Sequence, residues 1–150
     1  MEQVEQILES ELTELENDIK SRIKTYYATG RTEKSLSHKV SGFSGILEGA
    51  TYIETLERGR PPARGGDSKG AFLANLKEWI RVRWKDVKDE KDLERKAKFL
   101  KWYINKYGNK KFRNGEKDDV LSKPIADFTE QISQRISDLY LIQITNNLNL

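Results

Sequence analysis

Val4, Leu8, Leu12, Leu15, Ile19, Ile23 and Tyr26 recur at spacings of four, four, three, four, four and three residues. That is the period of an α-helix, and it draws one apolar stripe along about seven turns. Gly30 is the expected stop. A stripe of this length must be covered, either by the rest of its own chain or by a neighbouring subunit.

The pattern then changes. Leu36, His38 and Val40 alternate with Ser35, Ser37, Lys39 and Ser41, which predicts a half-buried strand. Gly42, Gly45 and Gly49 interrupt the next stretch, so Phe43 to Glu48 is expected to pair back as a hairpin partner. A strand pair is marginal alone in water and needs a helix behind it or a neighbour's strand beside it. Tyr52, Ile53 and Leu56 have the spacing of a short helical turn that ends at Gly59.

Arg58 to Gly70 holds Gly59, Pro61, Pro62, Gly65, Gly66 and Gly70, a density that predicts an exposed loop. Leu73, Leu76, Ile80 and Trp84 mark the next helix, with Trp79 and Ile80 both expected in the core. Leu93, Ala97, Leu100, Ile104 and Tyr107 mark another, capped by Gly108. Asn109 to Asp118 reads as a second polar loop. The last helix has Ser122 as its expected cap, Pro124 in its first turn and Ile125, Phe128, Ile132, Ile136 and Leu139 on its buried face. Its tail from Leu141 to Leu150 is expected to fray.

These elements predict an α+β fold in one mostly helical domain, 1–150. A long acidic N-terminal helix over 1–29 precedes an α+β body over 35–145, with a small antiparallel sheet and three further helices. At 150 residues, such a domain buries roughly 70% of its unfolded surface and needs no metal or disulfide. Apolar residues are 36% and charged residues 34% of the chain, so its core is thin and much of it faces water or a partner.

Charge is unevenly placed. Residues 1–18 carry seven acidic groups and no basic one, whereas residues 19–117 carry 25 basic and 12 acidic groups. A helix dipole favours acids in a first turn but not over four turns. An acidic end and a basic middle let copies of one chain attract each other head to tail, or let the chain meet nucleic acid.

The sequence offers little for catalysis. There is no Cys and one His, His38, on an apparent strand where packing is the expected role. Glu54 and Glu57, three apart, resemble an ordinary surface pair more than an acid–base pair. Gly65-Gly66-Asp67-Ser68-Lys69-Gly70 lacks the Gly-Lys-Ser/Thr ending of a phosphate loop. The expectation is therefore a non-enzyme with no catalytic residue, metal or cofactor. No apolar run reaches the roughly 18 residues that span a bilayer, and the start Met-Glu-Gln-Val-Glu has no secretory pattern, so no membrane association is expected.

One ordered set of residues is more specific. Tyr52, Leu56, Glu57, Gly59 and Pro62 are followed by Leu76, Trp79 and Ile80, then by Ala97, Ile104, Tyr107 and Gly108, then by Phe112 and Asp119-Val120-Leu121. This succession, over about two thirds of the chain, resembles the small neck and tail-completion proteins of tailed bacteriophages. The chain departs from that pattern in its acidic N-terminal helix and in Asn109, where a small hydroxyl residue is usual.

The resemblance implies a structural virion protein of the neck or head-to-tail connector, assembled in the host cytoplasm as a ring of copies. It implies neighbouring connector or tail proteins as further partners and weak, non-specific contact with genomic DNA. Candidate subunit contacts are Arg58, Arg60, Arg64, Lys110, Lys111, Phe112 and Arg113, in loops expected to be mobile until they meet a neighbour. The alternative is a nucleic-acid-binding accessory protein. Trp79, Trp84 and Trp102 lie among Arg81, Arg83, Lys85, Lys98 and Lys101, and aromatic faces amid cations suit base stacking.

Overall fold

A computed structural model describes residues 2–26, 30–63 and 70–148. In chain order it contains α1 (Glu2–Ile23), a 3-10 turn (Lys24–Tyr26), α2 (Arg31–Lys34), β1 (Ser37–Ser41), β2 (Ser44–Glu48), α3 (Ile53–Arg58), α4 (Ala71–Arg83), α5 (Glu90–Tyr107), α6 (Lys110–Asn114) and α7 (Ser122–Leu148). The fold is α+β and mostly helical, with the long N-terminal helix, the antiparallel strand pair and the three further long helices α4, α5 and α7. Residues 27–29, on which the expected end of the first helix falls, lie outside the described residues. Among the described residues no helix is long and apolar enough to cross a membrane.

Contacts gather the chain into two compact units. Unit 1 takes the segments up to Thr25, from Thr32 to Thr51 and from Asp119 onward, and unit 2 takes Tyr26–Arg31 and Tyr52–Asp118.

In unit 1 the α1 stripe is the core. Val4, Leu8, Leu12, Leu15, Ile19 and Ile23 are all buried, and Ile19 completely so. Each such side chain contributes about 1.5–3 kcal/mol relative to exposure. Two elements cover it. α7 runs antiparallel along α1, as the side-chain pairs Gln3–Gln143 at 3.2 Å and Glu11–Arg135 at 2.7 Å and the bond from Arg22 to the Asp119 carbonyl at 2.8 Å require.

The hairpin covers the rest of the stripe. β1 and β2 pair from Ser37↔Glu48 to Ser41↔Ser44, leaving Gly42 and Phe43 as a two-residue turn. His38, Val40 and Leu47 are half-buried while Ser37, Lys39 and Ser41 face out, as the alternation predicted. At Gly45 the sheet lies close against the helix: a Cβ there would stand 2.5 Å from Leu12 Cδ1. The strand pair is thus backed by α1, which answers its marginal stability without a neighbour's strand.

Two details of α7 differ from expectation. Phe128, Ile132, Ile136 and Leu139 are half-buried as predicted, but Ile125 is exposed. The helix also continues through the tail to Leu148, because residues 141–148 contain neither Gly nor Pro to stop it. Leu141, Ile142, Ile144 and Leu148 are exposed there.

In unit 2 the core lies between α4 and α5. Leu76, Ile80, Leu93 and Ala97 are buried, flanked by Phe72, Leu73, Trp84, Val87, Leu100 and Ile104. Asp89 caps α5 by accepting from the Asp92 amide at 2.7 Å. Trp79 is not in this core: it is 39% exposed, whereas Ile80 is fully buried. Adjacent helix positions lie about 100° apart, so a stripe through Leu73, Leu76 and Ile80 leaves Trp79 at its margin. There its ring meets Trp84 edge-on at 6.2 Å.

His38 is held by α1. Its Nδ1 faces Glu16 Oε2 at 2.5 Å and its Nε2 faces Glu9 Oε1 at 3.2 Å, with Thr13 Oγ1 at 3.4 Å. The Glu16 bond raises the imidazole pKa above its ordinary value of 6.5, against burial and with help from Glu9. Glu16 is lowered below 4.5, chiefly by its bond from Lys20 and also by His38. The raised histidine contributes stability that is complete below pH 6.5 and fades as pH rises through its folded pKa. The lowered carboxylate contributes stability that is complete above pH 4.5 and fades as pH falls through its folded pKa. Both contributions are present together between those two values. His38→Gln should therefore lose more stability at about pH 5.5 than at about pH 9, read by urea unfolding at the two pH values. An equal loss at both would mean that the ring packs there without its charge.

Candidate functional site

The two segments read from sequence as separate loops are joined in unit 2. α3 ends at Gly59, whose φ is +79° and whose amide bonds the Thr55 carbonyl at 2.9 Å. α5 ends at Gly108, also at φ +79°, with its amide on the Ile104 carbonyl at 2.8 Å. Left-handed backbone favours glycine at both positions, and the close approach at each requires it. A Cβ on Gly59 would stand 2.5 Å from Asn109 Oδ1 and from the Phe112 amide nitrogen. One on Gly108 would stand 2.6 Å from Phe112 Cδ1 and 2.9 Å from the Arg60 carbonyl oxygen.

Backbone bonds stitch the same region. The Asn109 amide donates to the Arg60 carbonyl at 2.9 Å, the Ala63 amide to the Asn105 carbonyl at 3.0 Å, and the Asp118 amide to the Glu57 carbonyl at 3.0 Å. Asn109 Oδ1 accepts from the Phe112 amide at 3.0 Å, which caps α6. The expectation of an irregular loop over 109–118 is corrected by this helix. Asn is among the good capping side chains, which suits Asn109 to this position.

The candidate contact residues are placed differently from one another. Arg58 and Lys110 are exposed. Arg60 lays its guanidinium over the Phe72 ring, 3.5 Å from the centroid. Arg64 lies outside the described residues. Phe112 is 41% exposed and covers Gly108. Arg113 is exposed, with its guanidinium 4.7 Å from the Tyr103 ring.

Lys111 points inward. Its ammonium donates to the Leu56 carbonyl and to Asp118 Oδ2, reaches the Tyr26 hydroxyl at 3.2 Å and stands 4.4 Å from the Tyr26 ring. Burial pushes its pKa down, against the pull of Glu116 and Glu57. It is a strut between α3, α6 and the chain around Asp118, and its charge is spent inside unit 2. Glu57 is buried while Glu54 is exposed, so this pair shares no common environment.

The sequence reading missed an aromatic row on the last two turns of α5. Phe99 lies 6.0 Å from Trp102 and 6.2 Å from Tyr103; Tyr107 lies 5.0 Å from Tyr103 and 6.3 Å from Trp102. Phe99, Trp102 and Tyr107 are 63, 52 and 42% exposed. Lys106 stands 5.1 Å from the Trp102 ring and 5.0 Å from the Tyr107 ring. Tyr107 was expected on the buried stripe; it lies on this open face instead. The signal was the i, i+4, i+8 series Phe99, Tyr103, Tyr107 with Trp102 beside it.

This arrangement supplies recognition: π faces, cations above them, and further cations at the rim. Among the described residues no three His, Asp or Glu side chains converge as a metal-binding group.

The junction makes a direct prediction. Gly108→Ala should cost about 1–3 kcal/mol through its backbone conformation, and more through the clash with Phe112. Gly115→Ala, at φ +65° with nothing within 4 Å of the added carbon, should incur the backbone cost alone. Equal losses in urea unfolding would show that the close approach at Gly108 does not hold the segments together. No protein-family model, characterised protein or solved structure shows a significant match to this chain.

Proposed function

We propose that this chain is a structural virion protein of a tailed bacteriophage, acting in multiple copies in the neck or head-to-tail connector. What supports the reading is the place where two pieces of the ordered succession meet. Gly59, which follows Leu56 and Glu57, and Gly108, which follows Tyr107, both lie tight against Phe112 of α6 at one junction. Residues some fifty apart in sequence are matched there in shape, which gives the ordered succession a physical reason. Around that junction the surface carries exposed Arg58, Lys110 and Arg113 and the open aromatic row. In a ring each copy repeats the same contact, so closure and multivalency turn a modest interface into a stable assembly.

A nucleic-acid-binding role is the second reading. The observation in its favour is the exposed Phe99, Trp102 and Tyr107 row with Lys106 above two of its rings, together with the exposed edge of Trp79. Stacking of bases on such rings is worth about 1–3 kcal/mol per base.

Replacing Arg58, Arg60 and Arg64 together by Ala separates the two. On the ring reading the subunit stays folded, at the cost of the Arg60 contact with the Phe72 ring, worth about 0.5–2 kcal/mol, but fails to enter particles. On the nucleic-acid reading particle entry is unaffected, DNA affinity falls, and its salt dependence flattens by up to about three phosphate contacts. The readouts are complementation of particle assembly and anisotropy titrations of labelled DNA at several salt concentrations. Unchanged results in both would remove these arginines from either role.

A further inference from the structure

On unit 1, α1 and α7 leave a groove between them with an unusual lining. Glu14, Asp127 and Glu130 stand on its walls, and Glu11 and Arg135 line it as well. Lys123 pairs with Asp127 at 3.3 Å. Glu11 is only 1% exposed, although it sits on a helix whose other buried residues are all aliphatic. One of its oxygens, Oε1, accepts from Arg135 Nη1 at 2.7 Å. The other, Oε2, is buried and, among the described residues, meets no hydrogen-bond donor. A buried carboxylate oxygen without a donor is costly, and it leaves the negative charge of Glu11 only partly compensated beside the groove.

The occupant that fits is cationic and able to donate hydrogen bonds. The groove presents four acidic side chains to one arginine, yet no three acidic groups converge as a metal-binding set among the described residues. An ammonium or guanidinium can donate to a single carboxylate and needs no such convergence. This chain carries a matching surface on unit 2. Lys106, Lys110 and Arg113 are exposed there, Lys106 over the rings of Trp102 and Tyr107 and Arg113 over that of Tyr103.

We propose that the acidic α1/α7 groove, lined by the buried Glu11 carboxylate, seats the Lys110–Arg113 face of a second copy of this chain. The contact is heterologous: each copy offers a groove to one neighbour and a basic face to the next, so repetition gives a closed ring or a filament. It rests on the multi-copy role proposed above and names the surfaces that carry it.

Two charge-reversed proteins test the contact, each checked for native helicity by circular dichroism. Glu14→Lys with Glu130→Lys alters the groove at exposed positions, and Lys110→Glu with Arg113→Glu alters the basic face. Sedimentation across a concentration series at low salt should show the unaltered protein associating, with association weakening as salt screens the charges. Each variant alone should associate at least about tenfold more weakly. An equimolar mixture should regain association, because the reversed groove of one then meets the reversed face of the other.

Association of the groove variant at the unaltered level, a mixture that stays dissociated, or an unaltered protein that stays monomeric at every concentration would each overturn the contact. Particle assembly separates this failure from failure of the ring reading. If both variants enter particles as well as the unaltered protein does, the groove contact is wrong and the ring reading stands. If the mixture regains association while the unaltered protein never enters particles, the contact stands and the ring reading falls.

Discussion

The apolar stripe of α1 is the constraint on which unit 1 depends. A helix of 22 residues with six buried aliphatic side chains on one face cannot stand in water alone. Everything else in the unit is arranged to cover it. The hairpin comes within a methyl group's width at Gly45, α7 runs the length of the helix, and His38 reaches over the side to Glu9 and Glu16. The same stripe makes Glu11 informative. It lies seven residues after Val4, among Leu8, Leu12 and Leu15, where an aliphatic residue would pack without penalty. Its bond to the half-exposed Arg135 ties α1 to α7, and its other oxygen is left without a donor among the described residues.

Unit 2 solves a different problem. Its two helices α4 and α5 share a small core, and the segments that follow α3 and α5 are rich in Gly, Pro and charge. Residues 59–63 and 109–118 are held by fit more than by apolar burial: two positive-φ glycines admit Phe112 and Asn109, and Lys111 satisfies a carbonyl and a carboxylate that would otherwise need water. Consequently the surface around the junction is free to carry rings and cations. α5 uses one face for Leu93 and Ala97 and leaves another to Phe99, Trp102 and Tyr107. A thin core and a well-furnished exterior are what a subunit needs if much of its binding energy is realised between copies.

The helices and the hairpin were legible because they depend on period. The three-and-four spacing of α1 and the alternation of β1 survive folding unchanged, and Gly59 and Gly108 end helices where predicted. Three features were not legible, each for a physical reason. Trp79 sits beside its stripe, so a rule that buries tryptophan by type places it wrongly. The segment after Gly108 looks like a loop because its helix is only five residues long, and beyond the Asn109 cap its order comes from contacts with residues some fifty positions away. Lys111 and Arg113 are indistinguishable in sequence, yet α6 turns one inward to Leu56 and Asp118 and the other out over Tyr103. For the candidate site, then, the sequence located the segments and the fold decided which side chains a partner can reach.

The charge pattern links these surfaces to the proposed role. Acidic residues beyond the first turn of α1 are not needed by its dipole, and the groove they border on unit 1 is acidic where unit 2 is basic. A chain that carries both signs on separate units has the means to recognise its own copies. The most direct test of the ring account is electron cryo-microscopy of assembled phage particles in which this chain carries a visible label. The account predicts label in a closed ring at the head–tail junction, with the basic side of unit 2 against the next copy. Particles without the label, or label distributed along the packaged DNA, would contradict it.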